Sequence, residues 1–233
     1  MQELFKKYGI ELNQSQEDKF ISYYKLLIQE NQKMNLTTIT EYEDVMKKHF
    51  LDSCLILKEV PFSYFEGKHV LDLGTGAGFP GIPLAVMLPK TSFVLVDSLN
   101  KRIEFLKSVT KLLELSNVTL IHGRAEDLGR DKEYREQFDV CVSRAVAALP
   151  LLLEYCSPFI KVRGNLFLYK SKKIVQEIEE AANAFSVLNC NLEETLHLVS
   201  EDDYERYILK INKSNFTPEK YPRKAGKPKK NPL

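Results

Sequence analysis

Apolar residues between positions 69 and 211 fall into two alternating rhythms. Short, largely apolar blocks at 69–73, 93–97, 118–122, 138–143 and 164–169 predict strands. Between them, apolar positions recur at helical spacing over 80–88, 101–115, an apolar segment running through Tyr155, and 173–185. Two further blocks, 192–199 and 206–211, are predicted to close the sheet as an antiparallel pair. Strands alternating with helices predict an α/β fold, a mostly parallel seven-stranded sheet with helices on both faces. Upstream, the first 60 residues read as helical. Ser15, with Asp18 three residues on, resembles a capping box. Phe20, Tyr24, Leu27 and Ile28 then supply an apolar stripe, and a second helix is predicted over 43–60. The polar turn Met34-Asn35-Leu36-Thr37-Thr38 separates the two, and Pro61 and Gly67 mark the passage into the main domain. The expected organisation is a helical extension (1–60), a main domain (61–211) and a tail (212–233).

Composition narrows the class. A chain of 233 residues can bury enough surface to fold without a metal or disulfide staple. Cys54, Cys141, Cys156 and Cys190 form no C-x-x-C pair, and the four histidines are scattered, so free thiols and no metal site are expected. No leader-like or membrane-length apolar run occurs, which predicts a cytoplasmic protein without a membrane partner. The net charge of +1 is uneven: residues 220–233 carry six cations and no acid, so the remainder carries −5. A basic tail on an acidic body suggests a phosphate-bearing partner contacted in one place.

The segment Val70-Leu71-Asp72-Leu73-Gly74-Thr75-Gly76-Ala77-Gly78-Phe79-Pro80-Gly81-Ile82-Pro83 holds the most specific chemistry. A strand ends in a carboxylate, passes three alternate glycines and meets a proline suited to a helix start. Ligands of such sheets bind past the carboxyl ends of the strands, where this run lies. Gly74, Gly76 and Gly78 remove Cβ atoms that would bar close approach. The helix beginning near Pro80 is expected to present unpaired N–H groups. Residues 76–81 also spell G-x-G-x-x-G, the dinucleotide fingerprint. Asp97, at the next strand end, suits a ribose diol under either reading. Asp72 separates them: a carboxylate there repels a pyrophosphate but pairs with the ammonium of S-adenosyl-L-methionine, and Asp72-x-Gly74-x-Gly76-x-Gly78 is the form used by class I methyltransferases. Arg124-Ala125-Glu126-Asp127, after the third strand, flanks the place of the cofactor's base. Ser143-Arg144-Ala145, after the fourth, lies where substrate is usually bound.

With these motifs, the chain resembles the bacterial 16S ribosomal RNA guanine-N7 methyltransferases of the glucose-inhibited division protein B type. The resemblance runs nearly full length. It includes Asn35-Leu36-Thr37, His49-Phe50-Leu51-Asp52-Ser53, residues 72–83, Asp97-Ser98-Leu99-Asn100-Lys101-Arg102, Ser143-Arg144-Ala145 and Tyr221-Pro222-Arg223-Lys224-Ala225-Gly226-Lys227-Pro228. It implies a class I, Rossmann-like methyltransferase fold, S-adenosyl-L-methionine as cofactor, and cofactor residues at Gly74, Phe79, Ala125, Glu126 and Arg144. It further implies 16S rRNA, in the small ribosomal subunit or its precursor, as partner; separately, a monomer is expected. Guanine N7 offers an in-plane lone pair and no proton, so methyl transfer needs positioning rather than a general base or covalent catalyst. No catalytic residue is therefore expected, Arg144 serving as a positioner of substrate or cofactor and Cys141 as core.

For RNA, the cations expected to make contact are Lys170, Lys172 and Lys173 after the fifth strand and Arg223, Lys224 and Lys227 in the tail; Lys47 and Lys48 are also available. The tail, broken by prolines, is predicted to stay extended, so its removal should weaken RNA binding and leave cofactor affinity intact. Three other readings use the same residues: a methyltransferase for small molecules or proteins, a dinucleotide-dependent dehydrogenase, and a cofactor-binding RNA chaperone.

Overall fold

The computed structural model describes residues 1–144, 147–172, 174–199 and 205–233; the predicted contact Lys173 and the motif residue Ala145 lie outside them. Among the described residues seven strands form one sheet: β1 (His69–Leu73), β2 (Ser92–Asp97), β3 (Val118–His122), β4 (Phe138–Arg144), β5 (Ile160–Lys170), β6 (Cys190–Val199) and β7 (Glu205–Lys213). Their order is β3-β2-β1-β4-β5-β7-β6. β2 with β3, β1 with β4 and β4 with β5 pair parallel, while β7 runs antiparallel to both β5 and β6. The order reverses at β1 and β4, and there a doubly wound sheet binds its ligands. β5 begins at Ile160 rather than 164 because the ladder slips: Phe138 pairs with Ile160 but Val140 with Asn165, and Arg163 takes a left-handed φ of 70° in the bulge.

The chain packs as two compact units. The first comprises Met1–Gly67 and Thr75–His122. Its long helix, Gln14–Met34, is capped by Asn13, not Ser15: Asn13 accepts the Gln16 amide at 2.9 Å while the Gln16 side chain accepts the Asn13 amide at 3.0 Å. Asn-x-x-Gln is the better reciprocal cap because Gln reaches back to the cap amide. The buried face is Phe20, Tyr23 and Leu27, so the predicted Tyr24 and Ile28 lie at the margin, half-buried. Both choices satisfy a 3.6-residue period; Tyr23 prevails because its hydroxyl donates to the Ala77 carbonyl and its ring stacks on Phe79.

The helix predicted over 43–60 is broken into Tyr42–Val45, a π-helical turn Met46–Leu51, Asp52–Cys54 and Ile56–Glu59. Ser53 donates its hydroxyl to the His49 carbonyl at 2.6 Å, a side-chain bond that competes with the helical ladder. The wider turn lets Phe50 stack between Phe20 and Tyr23, with ring centroids 5.1 and 5.2 Å away.

The second unit comprises Lys68–Gly74 and Gly123–Leu233. Its predicted helix over 173–185 is two, Ile174–Glu180 and Ala182–Val187. The Ala181 amide is shared between the Glu177 and Ile178 carbonyls, which tightens the turn and brings Ala181, Ala184 and Leu188 into the core. The expected extended tail is also corrected. β7 runs to Lys213, whose fully buried ammonium donates to Glu136 and to the Ser157 and Ile160 carbonyls. Beyond it Thr217 and Tyr221 are buried, and residues 227–230 form a short helical turn.

Among the described residues no helix is long and apolar enough to cross a membrane, and no cluster of side chains could hold a metal ion.

Candidate functional site

In the second unit, the strand ends at the reversal point bring Asp72 and the β4 residues together. Asp72 is fully buried and pairs in register with Val142. Ser143, next along β4, donates its hydroxyl to the Leu73 carbonyl at 2.8 Å, which locks the two strand ends. Arg144 follows at the end of β4, half-buried. Gly74 leaves β1 with φ +73°, a left-handed conformation that a side chain would strain.

Glu126, in the helical turn Ala125–Leu128, is buried. Its Oε1 accepts the Tyr155 hydroxyl at 3.4 Å and the Gly226 amide at 3.3 Å. Burial and the neighbouring Glu126 carboxylate push the Tyr155 phenol up to about 12, so it remains a hydrogen-bond donor across the physiological range.

In the first unit the glycine turn is held by its own hydrogen bonds. Thr75 N–H donates to the Val96 carbonyl, Gly78 and Phe79 N–H to the Thr75 carbonyl, and Ile82 N–H to the Gly78 carbonyl, all within 2.8–3.0 Å. Gly76 N–H donates to Asp97 Oδ2 at 2.9 Å. Asp97, 3% exposed, also accepts the Leu99 amide and the Arg102 guanidinium. This corrects the expectation of unpaired N–H groups at the start of the Gly81–Met87 helix: the Ile82 amide is already bonded. A pyrophosphate cradle needs amides aimed outward. These point into the protein.

The glycines divide by role. A Cβ on Gly76 would meet nothing within 4 Å, leaving space for a ligand. A Cβ on Gly78 would sit 2.6 Å from the Tyr23 hydroxyl, 2.7 Å from Ile82 and 2.9 Å from Leu106. Gly78 is thus glycine to admit protein neighbours. Phe79 is buried between Tyr23 and His49, the His49 ring lying 4.6 Å above it and bonded to the Thr37 hydroxyl at 2.8 Å. The motifs around residues 35–37 and 49–53 therefore support Phe79 within this unit.

Sequence reasoning missed Thr75, Tyr23, Arg102 and Tyr155. Tyr23 was visible as the i+3 partner of Phe20; Arg102 and Tyr155 act through partners that only folding supplies.

The predicted RNA cations separate into two groups. Lys170 is 7% exposed and donates to Glu177 and the Ala147 carbonyl, both at 2.7 Å. Arg223 forks onto the fully buried Glu154, Nε to Oε1 at 2.9 Å and Nη2 to Oε2 at 2.5 Å. Lys172, Lys224 and Lys227 are exposed, as are Lys229 and Lys230. Cys141 lies fully buried in β4; burial, Cys156 and the Asp72 charge all push its thiol well up, which disfavours the thiolate.

The family model described as GidB, rRNA small subunit methyltransferase G, matches residues 16–208. The chain is 49% identical over 226 residues to "Ribosomal RNA small subunit methyltransferase G" of Lachnoclostridium phytofermentans, covering 97% of this chain and 93% of that one. It is 47% identical over 232 residues to the protein of the same description in Staphylococcus aureus strain JH9, covering 99% and 96%. Among solved structures, a SAM dependent methyltransferase from Aquifex aeolicus aligns with TM-score 0.59 at 18% identity over 77% of this chain and 97% of that one. M. jannaschii TYW2 in complex with AdoMet aligns with TM-score 0.55 at 19% identity, over 76% and 79%. At such identities the structures speak for the fold, which is the class I, Rossmann-like methyltransferase fold.

Proposed function

The chain belongs to the rRNA small subunit methyltransferase G family, and from that premise we propose that it transfers a methyl group from S-adenosyl-L-methionine to N7 of a guanine in 16S ribosomal RNA. The observation that carries the choice of cofactor is the buried Asp72 carboxylate ahead of a glycine turn whose amides are bonded inward. That arrangement suits a cationic amino acid moiety and withholds the Thr75, Gly76, Gly78, Phe79 and Ile82 amides from a pyrophosphate. The open space over Gly76 lets backbone approach the cofactor.

When bound, the cofactor supplies an electrophilic methyl on a sulfonium. Asp72 faces the positive charge of its amino acid portion. Glu126, fixed by Tyr155 and Gly226, accepts from the exocyclic amine of the base, while Ala125 contributes backbone beside it. Asp97 shapes the turn that carries Gly76 and offers its carboxylate edge to the ribose. Arg144, half-buried at the end of β4, would position the acceptor nucleotide or the cofactor. N7 has no proton to lose, so no residue has to act as base, and the buried, protonated Cys141 forms no covalent intermediate. Exposed Lys172, Lys224 and Lys227 bind phosphates of the rRNA. The acceptor is the small subunit or its precursor, the enzyme a cytoplasmic monomer.

The test is transfer of tritiated methyl groups onto undermethylated small subunits, followed by mapping of the labelled nucleotide. Label at N7 of one 16S guanine is expected. Label on protein, on another atom, or none at all overturns the reading.

A further inference from the structure

Residues 217–226 do not hang free. Arg135 donates to the carbonyls of Thr217 and Tyr221, at 2.6 and 2.9 Å, and Arg130 to that of Pro222 at 2.8 Å. Pro222 is packed over Gly129, where a Cβ would lie 3.1 Å from the proline ring. The Arg223 amide and guanidinium both bond Glu154, a carboxylate with no exposed surface in the otherwise apolar stretch Leu149–Cys156. A carboxylate buried without an ionic partner is strongly unfavourable, so Glu154 holds Arg223 in place. Three residues later Gly226, at φ +81°, turns its amide onto Glu126. These grips are on the segment that follows β3 and on the helix that carries Tyr155, the other donor to Glu126; the Thr217 hydroxyl adds a bond to the Ser157 carbonyl just past that helix.

We propose that residues 217–226 form a strap that positions the Glu126 carboxylate, making the chain's C-terminal segment part of cofactor binding rather than a detachable RNA arm. This rests on the reading of Glu126 as a ligand of the cofactor's base. Arg223, Arg130 and Gly226 are positioning residues in it. The strap also joins the two ligands physically: the exposed Lys224 and Lys227 flank the glycine that donates to Glu126. Cofactor affinity therefore falls when the segment is removed or loosened, contrary to what its composition suggests.

The test is calorimetric titration of the full-length protein with S-adenosylhomocysteine. Arg223→Gln should raise Kd about tenfold, and Arg130→Ala, which alters an exposed side chain and leaves Glu154 paired, about threefold. In a Glu126→Gln background, Arg223→Gln should add less than twofold, because the strap acts through that carboxylate. Unchanged Kd in the folded Arg130→Ala and Arg223→Gln proteins overturns the strap. So does an equal loss with and without the Glu126 carboxylate, which marks a merely structural role. Should Arg223→Gln not fold, Arg130→Ala decides alone. If the unaltered protein fails to bind S-adenosylhomocysteine, the proposed function itself falls and the strap with it, an outcome separable from a wild-type protein that binds while its variants match it.

Discussion

Asp97 and Gly76 are joined across the turn by a 2.9 Å hydrogen bond from the Gly76 amide to Oδ2 of the carboxylate. The carboxylate is nearly inaccessible and also receives the Leu99 amide and Arg102. The residue that the sequence offers as a ribose ligand is the clasp of the glycine turn. Hydrogen bonds to a charged group contribute about 1.5–3 kcal/mol each. Asp97→Ala removes three such bonds, one of them to the half-buried Arg102, so it should lose at least about 3 kcal/mol of stability in urea unfolding and bind S-adenosylmethionine more than tenfold more weakly. Undiminished stability would show that the turn holds its shape without the clasp.

Gly76 and Gly78 should respond oppositely to alanine. Gly76→Ala meets open space and is strained only by its φ of +62°, a cost of about 1–2 kcal/mol. Its loss should fall mainly on cofactor affinity. Gly78→Ala adds steric overlap with Tyr23, Ile82 and Leu106 to a φ of +100°, and should cost about 2–4 kcal/mol. Paired thermal unfolding and calorimetry of the two variants separate the effects; equal loss of cofactor affinity per unit of stability would refute the division of roles.

How far the chain could be read in advance follows from the range of the interactions. The strands at 69–73 and 118–122 were legible to the residue because each is a short run of strand-forming residues closed by a glycine. The cap at Asn13 and the buried Tyr23 were misplaced by two residues and one, since neighbouring choices satisfy the same local rule and a distant carbonyl at Ala77 decides. The tail was misread for the same reason. Composition describes solvation of an isolated segment, whereas Arg223 finds Glu154 sixty-nine residues away. A signal did exist: a glutamate inside Leu-Pro-Leu-Leu-Leu-Glu-Tyr-Cys demands a cation from elsewhere.

Neutralising the exposed lysine side chains of the tail tests phosphate binding, with unchanged S-adenosylhomocysteine affinity showing that the strap, which includes Lys224, is intact. Replacing Lys224, Lys227, Lys229 and Lys230 by Gln should raise KM for the rRNA substrate by about tenfold at moderate salt. It should also flatten the dependence of binding on salt, by roughly 0.7–0.9 in log–log slope for each phosphate left unneutralised. A salt slope unchanged from the parent protein would place the RNA on another surface.

Cys141→Ala should retain at least a third of the methyl transfer rate. The thiol is enclosed in β4 and pushed up by burial, by Cys156 and by the Asp72 charge, so almost no thiolate exists to attack a base. Removing the sulfur should cost about 1 kcal/mol of packing instead. A thousandfold fall in rate for the folded variant would demand a covalent step.

Asp139 gives the sheet a pH-dependent element. Burial works to raise its carboxyl, but the His69 amide at 2.9 Å and the Lys161 ammonium at 2.7 Å outweigh it, and the group is held below the usual carboxylate value. A carboxyl more acidic in the folded than in the unfolded chain stabilises the fold above the unfolded pKa of about 3.9. That stabilisation disappears as pH falls through the unfolded value and on through the lower native one. Lys161 is substantially exposed, so solvent screening limits the contribution to about 1 kcal/mol. Asp139→Asn keeps an acceptor for His69 but loses the charge. Its deficit against the parent protein should be full at pH 7, begin to shrink as the pH falls through the unfolded value of about 3.9, and vanish once the pH is below the lowered native one. Urea unfolding across that range measures it, and a deficit constant with pH would mean that the charge contributes nothing.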